Sequence, residues 1–409
     1  MNTLLSTTQE SSDGISGSVK QACPVCGASD WEVFFEMLSL PIFCNVLWSE
    51  QQVARDCDRG DIRLSFCRHC GFIGNRDFDP SLLTYAESYE NSLDFSPRFQ
   101  AYARNLATKL ISDYDLHRKK IIEIGCGKGD FLVSLCEMGN NYGVGFDPTY
   151  VPLPEHKKLS DRVQFIQDFY SEKYSEYQSD FIVCRHTLEH VQYPPALLNS
   201  LRHVIGDRVN TSVFFEVPNG LDTFRHMAIW DIIYEHCCYF TPVSLIYAFA
   251  QSGFQIDRLS QEFQGQFLCL EAVPRNQKDN PLADLTREVA QLADDIDAFK
   301  INFQNKIQAW QEKLNQTIDE GRRAVVWGAG SKGVTFLNLL KTRDHIEYVV
   351  DINPRKQGMY VAGTGQKIIA PEELVAHCPD DVFIMNSIYK DEIQQNLANL
   401  GLQPELMCV

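Results

Sequence analysis

The stretch Ile121–Asp130, which reads Ile-Ile-Glu-Ile-Gly-Cys-Gly-Lys-Gly-Asp, restricts the possible folds of this chain more than any other. A basic flank, Arg118 to Lys120, leads into a short apolar run that reads as a buried strand. A glycine-rich turn follows, and the apolar residues of Phe131–Glu137 suit a helix packed on a sheet. Gly125, Gly127 and Gly129 let the chain turn sharply and let a ligand approach with no Cβ in the way. Glu123, on the strand, is placed to reach the positive end of a zwitterionic ligand. Asp147 ends a second strand in Tyr-Gly-Val-Gly-Phe-Asp-Pro, where a carboxylate can accept hydrogen bonds from both hydroxyls of a ribose. An ordinary strand–turn–helix accounts for the glycines but not for Glu123 together with Asp147. The expected fold class is α/β, with a Rossmann-like sheet binding its ligand at the strand ends.

The alternation continues after Asp147. Val163–Gln167 reads as a strand ending at Asp168 and Phe169, and Asp180–Cys184 as the next, running into Arg185-His186-Thr-Leu-Glu189-His190. Val213–Val217 follows and ends at Pro218-Asn219. His186, Glu189 and His190 therefore stand where such folds bind ligands. Their spacing is not the His-Glu-x-x-His of a zinc protease helix. Tyr234-Glu235-His236 precedes a helix over Val243–Gln251 that stops at Gly253. An imidazole titrates near neutral pH, so His236 suits a general base with Glu235 fixing its tautomer. A capped helix start with aromatic packing is the alternative. Upstream, Tyr85, Tyr89, Asn91, Ser92, Phe95 and Phe99 crowd the approach to a helix over Arg98–Ile111. Such a stripe is either core or, around Tyr89, a wall of the active cleft.

Cys23-Pro-Val-Cys26 and Cys67-Arg-His-Cys70 supply four thiolates in the paired spacing of a closed structural zinc site. A small β-layer over Trp31–Phe35 and Asp61–Phe66 fits between the pairs, and thioredoxin-type redox chemistry is the alternative. Fourteen cysteines scattered through the chain fit a reducing compartment better than a disulfide framework. A net charge of −17 argues against non-specific binding to nucleic acid or anionic membrane. No apolar run approaches the ~20 residues that span a bilayer. The polar first twenty residues read as disordered rather than as a signal peptide. A cytoplasmic protein, monomer or homodimer, is expected.

From Leu282 to Ile318 apolar residues recur at spacings of three and four, predicting an amphipathic helix on the order of 50 Å long. Arg323–Trp327 and Gly328-Ala-Gly330-Ser-Lys-Gly333 then repeat the strand–glycine–helix device, with Asp351 where a ribose carboxylate belongs. No Tyr-x-x-x-Lys pair follows to support an NAD-dependent oxidoreductase.

The Glu123 to Asp147 pattern resembles motif I of class I S-adenosylmethionine (SAM) methyltransferases, which commonly contact the adenine at the position of Asp168 and Phe169. Over nearly the whole chain after residue 20, the order of motifs resembles the three-domain, zinc-containing C-methyltransferases of nucleotide-linked deoxy-keto-sugars. After the disordered 1–20 expected from composition, that resemblance implies a zinc-binding domain over 21–80 and a SAM domain over 81–275. A linker helix over 276–320 and a Rossmann-like substrate-binding domain over 321–409 complete it. It implies Cys23, Cys26, Cys67 and Cys70 on structural Zn2+, and SAM on Glu123, Gly125, Gly127, Gly129, Asp147, Asp168 and His186. It places His236 as base beside the sugar carbon, with Glu235, His190 and Tyr89 around it. Two departures stand out. Ile233 occupies the place of a family Tyr, and Gly-Ala-Gly-Ser-Lys-Gly replaces Gly-Ala-Pro-Ala-Lys-Gly. O- or N-methylation of a small metabolite, or of RNA, are the alternative activities.

Overall fold

The computed structural model describes residues 22–83, 89–153, 156, 158, 161–275, 285–341 and 343–409. The expected disorder over 1–20, Tyr85 of the aromatic stripe and Leu282 of the helix pattern lie outside the described residues. Among the described residues three sheets organise the chain, and a cavity lies among them.

The central sheet has seven strands. Across it they run Phe254–Glu262, Phe267–Pro274, Ser212–Pro218, Phe181–Arg185, Lys120–Ile124, Tyr142–Phe146 and Val163–Ile166. Phe267–Pro274 is antiparallel to both neighbours, and the strands from Ser212 onward are parallel. Parallel strands covered on both faces need apolar runs, which Phe181–Cys184 provides throughout and Ile121–Ile124 provides apart from buried Glu123. The order reverses between Lys120–Ile124 and Phe181–Arg185, which opens a crevice at their carboxyl ends. Helices are fixed on this sheet by local chemistry. Ser96 Oγ accepts from the Phe99 amide at 3.2 Å, and Pro97 occupies the first turn of helix Pro97–Asp113. Thr241 and Ser244 form a reciprocal capping box at the start of helix Pro242–Gln251.

An antiparallel sheet precedes it. Trp31–Pro41 pairs with Arg59–Cys67, which pairs with Ile73–Asn75. Its fourth strand comes from far along the chain. Cys238–Tyr239 pairs with Ile73 and Gly74, so the segment just after His236 is part of the amino-terminal layer. The third sheet is wholly parallel, in the order Lys367–Ile369, Tyr348–Val350, Ala324–Trp327, Asp381–Ile384, Glu405–Cys408. It too reverses direction at its glycine-loop strand.

Helix Thr286–Asp319 runs for 34 residues and joins the layers. Phe299, with no exposed surface, meets Phe34, Phe35 and Phe224 at ring distances of 6.3, 5.2 and 5.1 Å. Further along, Trp310 lies edge-on to Phe336 and Phe383 of the third layer, 5.7 Å from each. No helix among the described residues is long and apolar enough to cross a membrane.

Candidate active site

The cavity, about 830 Å³, is lined by the glycine turn of the central sheet, the His186–Val191 segment, Tyr89–Ser96, His236–Tyr239 and the glycine loop of the third sheet. On the central sheet, Gly125 has φ +70° and lies so close to Thr187 that a Cβ would fall 1.9 Å from its Oγ1. Gly127 faces open space, and its amide donates to Asp147 Oδ2 at 2.8 Å. Asp147 Oδ1 takes the Thr149 amide at 2.7 Å, so the carboxylate is held in one orientation at the strand end. The Thr149 hydroxyl also donates to Oδ1, at 2.7 Å, which leaves Oδ2 as the oxygen with capacity for a ligand hydroxyl.

Glu123 is 3 % exposed, and Oε2 has no hydrogen-bond partner among the described residues. Burial pushes its pKa up to about 8. A buried, half-satisfied carboxylate beside a cavity suits a cationic ligand, which would supply the missing donor. Asp94 adds a second acid here, pushed up to about 6 by burial and by neighbouring Asp130. Arg185 stacks on Phe131 at 4.1 Å and reaches Glu216 at 3.1 Å. Glu216 also meets His186 Nε2 at 2.6 Å and the Tyr102 hydroxyl at 2.7 Å. Burial alone would raise the pKa of Glu216, but Arg185 and His186 outweigh it and hold the carboxyl well below its usual range.

Deeper in, His190 and His236 stand edge to face with ring centres 4.9 Å apart. His190 Nδ1 lies 2.9 Å from the Glu235 carbonyl oxygen, which fixes its ring. Burial pushes His190 down to about 4 and, with help from His190, holds His236 well below the usual imidazole range. Both rings are therefore neutral at pH 7. Glu189, 2 % exposed and pushed up to about 8 by burial, offers a carboxylate oxygen within 4.8 Å of ring nitrogens of both.

The structure corrects two expectations, the contact of Glu235 with His236 and the place of Asp168 at the ligand site. The Glu235 carboxylate does not meet the His236 ring. It accepts from the Cys44 amide at 2.8 Å and bonds the Tyr89 side chain, turning away from its neighbour. The orienting contact that Glu235 makes is through its backbone, to His190. Tyr89 lines the cavity as well as holding Glu235. Asp168 does not line the cavity: its carboxylate is taken up by Lys173 and by the Tyr174 hydroxyl at 2.6 Å, while exposed Phe169 stands at the cavity wall. Ile233, also on the wall, is held through its backbone by the Tyr239 hydroxyl. Sequence reasoning passed over Asp94, Asp130 and Lys356. Only Asp130 carried a signal, as the first residue of the helix after the glycine turn.

Away from the cavity, Cys23, Cys26, Cys67 and Cys70 gather their sulfurs within 4.8 Å of one another, with contacts of 3.7 Å for Cys23–Cys70 and 3.5 Å for Cys26–Cys67. A tetrahedron of thiolates around zinc has edges of roughly 3.8 Å, so the spacing is compatible with that ion.

Residues 96–259 match a family model described as a methyltransferase domain. This match and the fold together define a SAM-dependent methyltransferase. Residues 267–403 match a second family model, described as a C-methyltransferase C-terminal domain. No curated protein matches the chain. Among solved structures, it is similar to magnesium protoporphyrin IX methyltransferase from Synechocystis with bound S-adenosylhomocysteine (SAH), at 18 % identity and TM-score 0.35, over 46 % of this chain and 89 % of that one. It is also similar to the 1,6-didemethyltoxoflavin-N1-methyltransferase of Burkholderia thailandensis, at 15 % identity and TM-score 0.34, over 44 % and 82 % of the two chains. TM-scores this low add nothing to the assignment.

Proposed function

We propose that this chain transfers a methyl group from SAM to a carbon of a nucleotide-linked keto-deoxysugar, with His236 as the general base. The observation that carries the reading is the shared cavity. A SAM-type turn forms one wall, a second glycine loop on a C-methyltransferase C-terminal domain forms another, and two neutral imidazoles lie between them. Glu123, the Gly125–Gly129 turn and Asp147 would hold SAM, and the unpartnered oxygen of Glu123 fits its cationic end. Bound there, SAM supplies an electrophilic methyl group. The part played by the protein is to make the acceptor carbon nucleophilic. Neutral His236 takes the proton next to the sugar carbonyl, and His190, oriented by the Glu235 carbonyl, supports it across the edge-to-face contact. Burial keeps water from the developing negative charge. Cys23, Cys26, Cys67 and Cys70 would hold a structural zinc ion outside the cavity lining. The protein acts as a cytoplasmic enzyme on a small molecule.

Proton removal is separable from methyl transfer and gives the test. With a nucleotide-linked keto-sugar and SAH in D2O, the native enzyme should exchange the proton next to the carbonyl, followed by NMR. His236→Asn should slow exchange and turnover by about 10²–10⁴-fold while SAH affinity is kept. Exchange at the native rate in that variant would exclude His236 as the base.

A further inference from the structure

Glu189, His190 and His236 bring three metal-ligating groups together on the cavity wall, with one donor atom of each within 4.8 Å of the others. They come from two layers. Glu189 and His190 stand on the short turn Leu188–His190 that follows strand Phe181–Arg185, and His236 precedes strand Cys238–Tyr239 of the amino-terminal sheet. The two segments are stitched together. Cys237 Sγ donates to the Glu189 carbonyl at 3.5 Å, Cys238 Sγ to the Val191 carbonyl at 3.2 Å and His190 Nδ1 to the Glu235 carbonyl at 2.9 Å. Contacts to the backbone therefore fix the two ligand-bearing segments against each other.

A carbonyl oxygen can only accept, so His190 Nδ1 carries the proton and the lone pair of the neutral ring is on Nε2. Metal-ligating imidazoles have this same arrangement, one nitrogen on the ion and the other donating to a carbonyl or carboxylate. Glu189 is the independent sign of a cation. It is 2 % exposed, and Oε2 has no hydrogen-bond partner among the described residues. His186 does not answer it, since Nδ1 stands 3.9 Å from Oε1 while Nε2 is 2.6 Å from Glu216. A buried carboxylate oxygen without a donor is costly unless a cation meets it. Ligand atoms at about 2.0–2.2 Å from a first-row metal stand roughly 3.0–3.5 Å apart, so small side-chain rotations close this set. Two imidazoles and one carboxylate suit Zn2+, Co2+, Ni2+ and Fe2+ rather than Mg2+ or Ca2+, which take oxygen ligands.

We propose that Glu189, His190 and His236 bind one first-row divalent transition-metal ion, and that the bound ion switches proton removal off. A neutral imidazole has one lone pair in the plane of its ring. Once His236 gives that pair to a metal, from either nitrogen, none is left to take a proton. Metal and substrate proton compete for the same electrons. Glu123 and Asp147 are not among the three ligands, so the SAM site stays open while the base is blocked. The metal site stands on its own geometry; the switch rests on His236 as the base.

Co2+ is the probe, because thiolate ligands give it an intense near-ultraviolet charge-transfer band that nitrogen and oxygen ligands do not. The four-cysteine cluster is thereby told apart. Titrating the full chain with SAH present should give visible d–d bands that saturate at one ion per chain, separate from any thiolate band. Glu189→Gln and His236→Asn should each weaken this binding about tenfold or more, with SAH affinity by calorimetry kept. With a nucleotide-linked keto-sugar and SAH in D2O, saturating Co2+ should slow exchange next to the carbonyl by about 10²–10⁴-fold, as far as His236→Asn does. Gel filtration into metal-free buffer should restore the rate, followed by mass spectrometry. Absence of this binding in the native chain, or its retention in both variants, overturns the proposal and leaves His236 as base untouched. Native-rate exchange with the site filled overturns the switch where His236→Asn is slow. Where His236→Asn also exchanges at the native rate, the switch falls together with the base reading and the metal site stands.

Discussion

Burial sets the electrostatics of individual residues in this cavity, and its direction differs by residue type. Glu123 is raised to about 8, so near neutral pH it is largely protonated in the free protein. A cationic ligand favours the ionised form. SAM affinity should therefore fall as pH drops from about 8 to about 6, by up to tenfold per unit, about the limit for one linked proton. Glu123→Gln should be flat over that range by calorimetry; a native-like slope in the variant would place the linked proton elsewhere. The imidazoles move the opposite way. A base with its pKa well below the usual range gives an acid limb of kcat/KM that lies below about pH 6.5, with a plateau through neutrality. Much of this site was legible in sequence. Glu123, Gly125, Gly127 and Asp147 are close in the chain, and their place at the cavity wall follows from one strand–turn–helix unit. The direction of Glu235 was not, because its carboxylate is set by the Cys44 amide, which belongs to a different layer.

Among the elements, the long helix and the strands were readable because each carries its own period or apolar run. Within Thr286–Asp319, Phe299 and Ile301 are near neighbours with opposite surroundings, fully buried and 73 % exposed. Phe299→Ala should cost about 3–5 kcal/mol in urea unfolding, through the cavity it leaves among Phe34, Phe35 and Phe224. Ile301→Ala should change stability by no more than about 0.5 kcal/mol. Equal losses would mean that the helix is not seated on that aromatic cluster. Strand Cys238–Tyr239 had no such local mark. Two residues carry no period, and its pairing with Ile73 and Gly74 is a long-range event.

For the whole molecule, that short strand links the four-cysteine cluster to the cavity, since Cys238 and Tyr239 line the cavity and pair with the strand just beyond Cys70. If the thiolates hold zinc, purified protein should contain about one ion per chain by elemental analysis, and Cys23→Ser with Cys67→Ser should lose it. Chelation should lower both the melting temperature and turnover, because metal binding is coupled to folding of this layer. Retained zinc in the double variant would exclude the cluster as its site. The meeting of three sheets at one cavity could not be read from any single motif. Each motif specifies its own strand and loop, while their common focus depends on the packing of the long helix across all three layers. The central claim, carbon methylation, is tested most directly by where the transferred methyl ends up. With methyl-13C SAM and a nucleotide-linked keto-sugar, carbon–carbon coupling in the NMR spectrum of the product should show the labelled methyl bonded to the carbon next to the carbonyl. A labelled methyl bonded to oxygen or nitrogen would contradict the account.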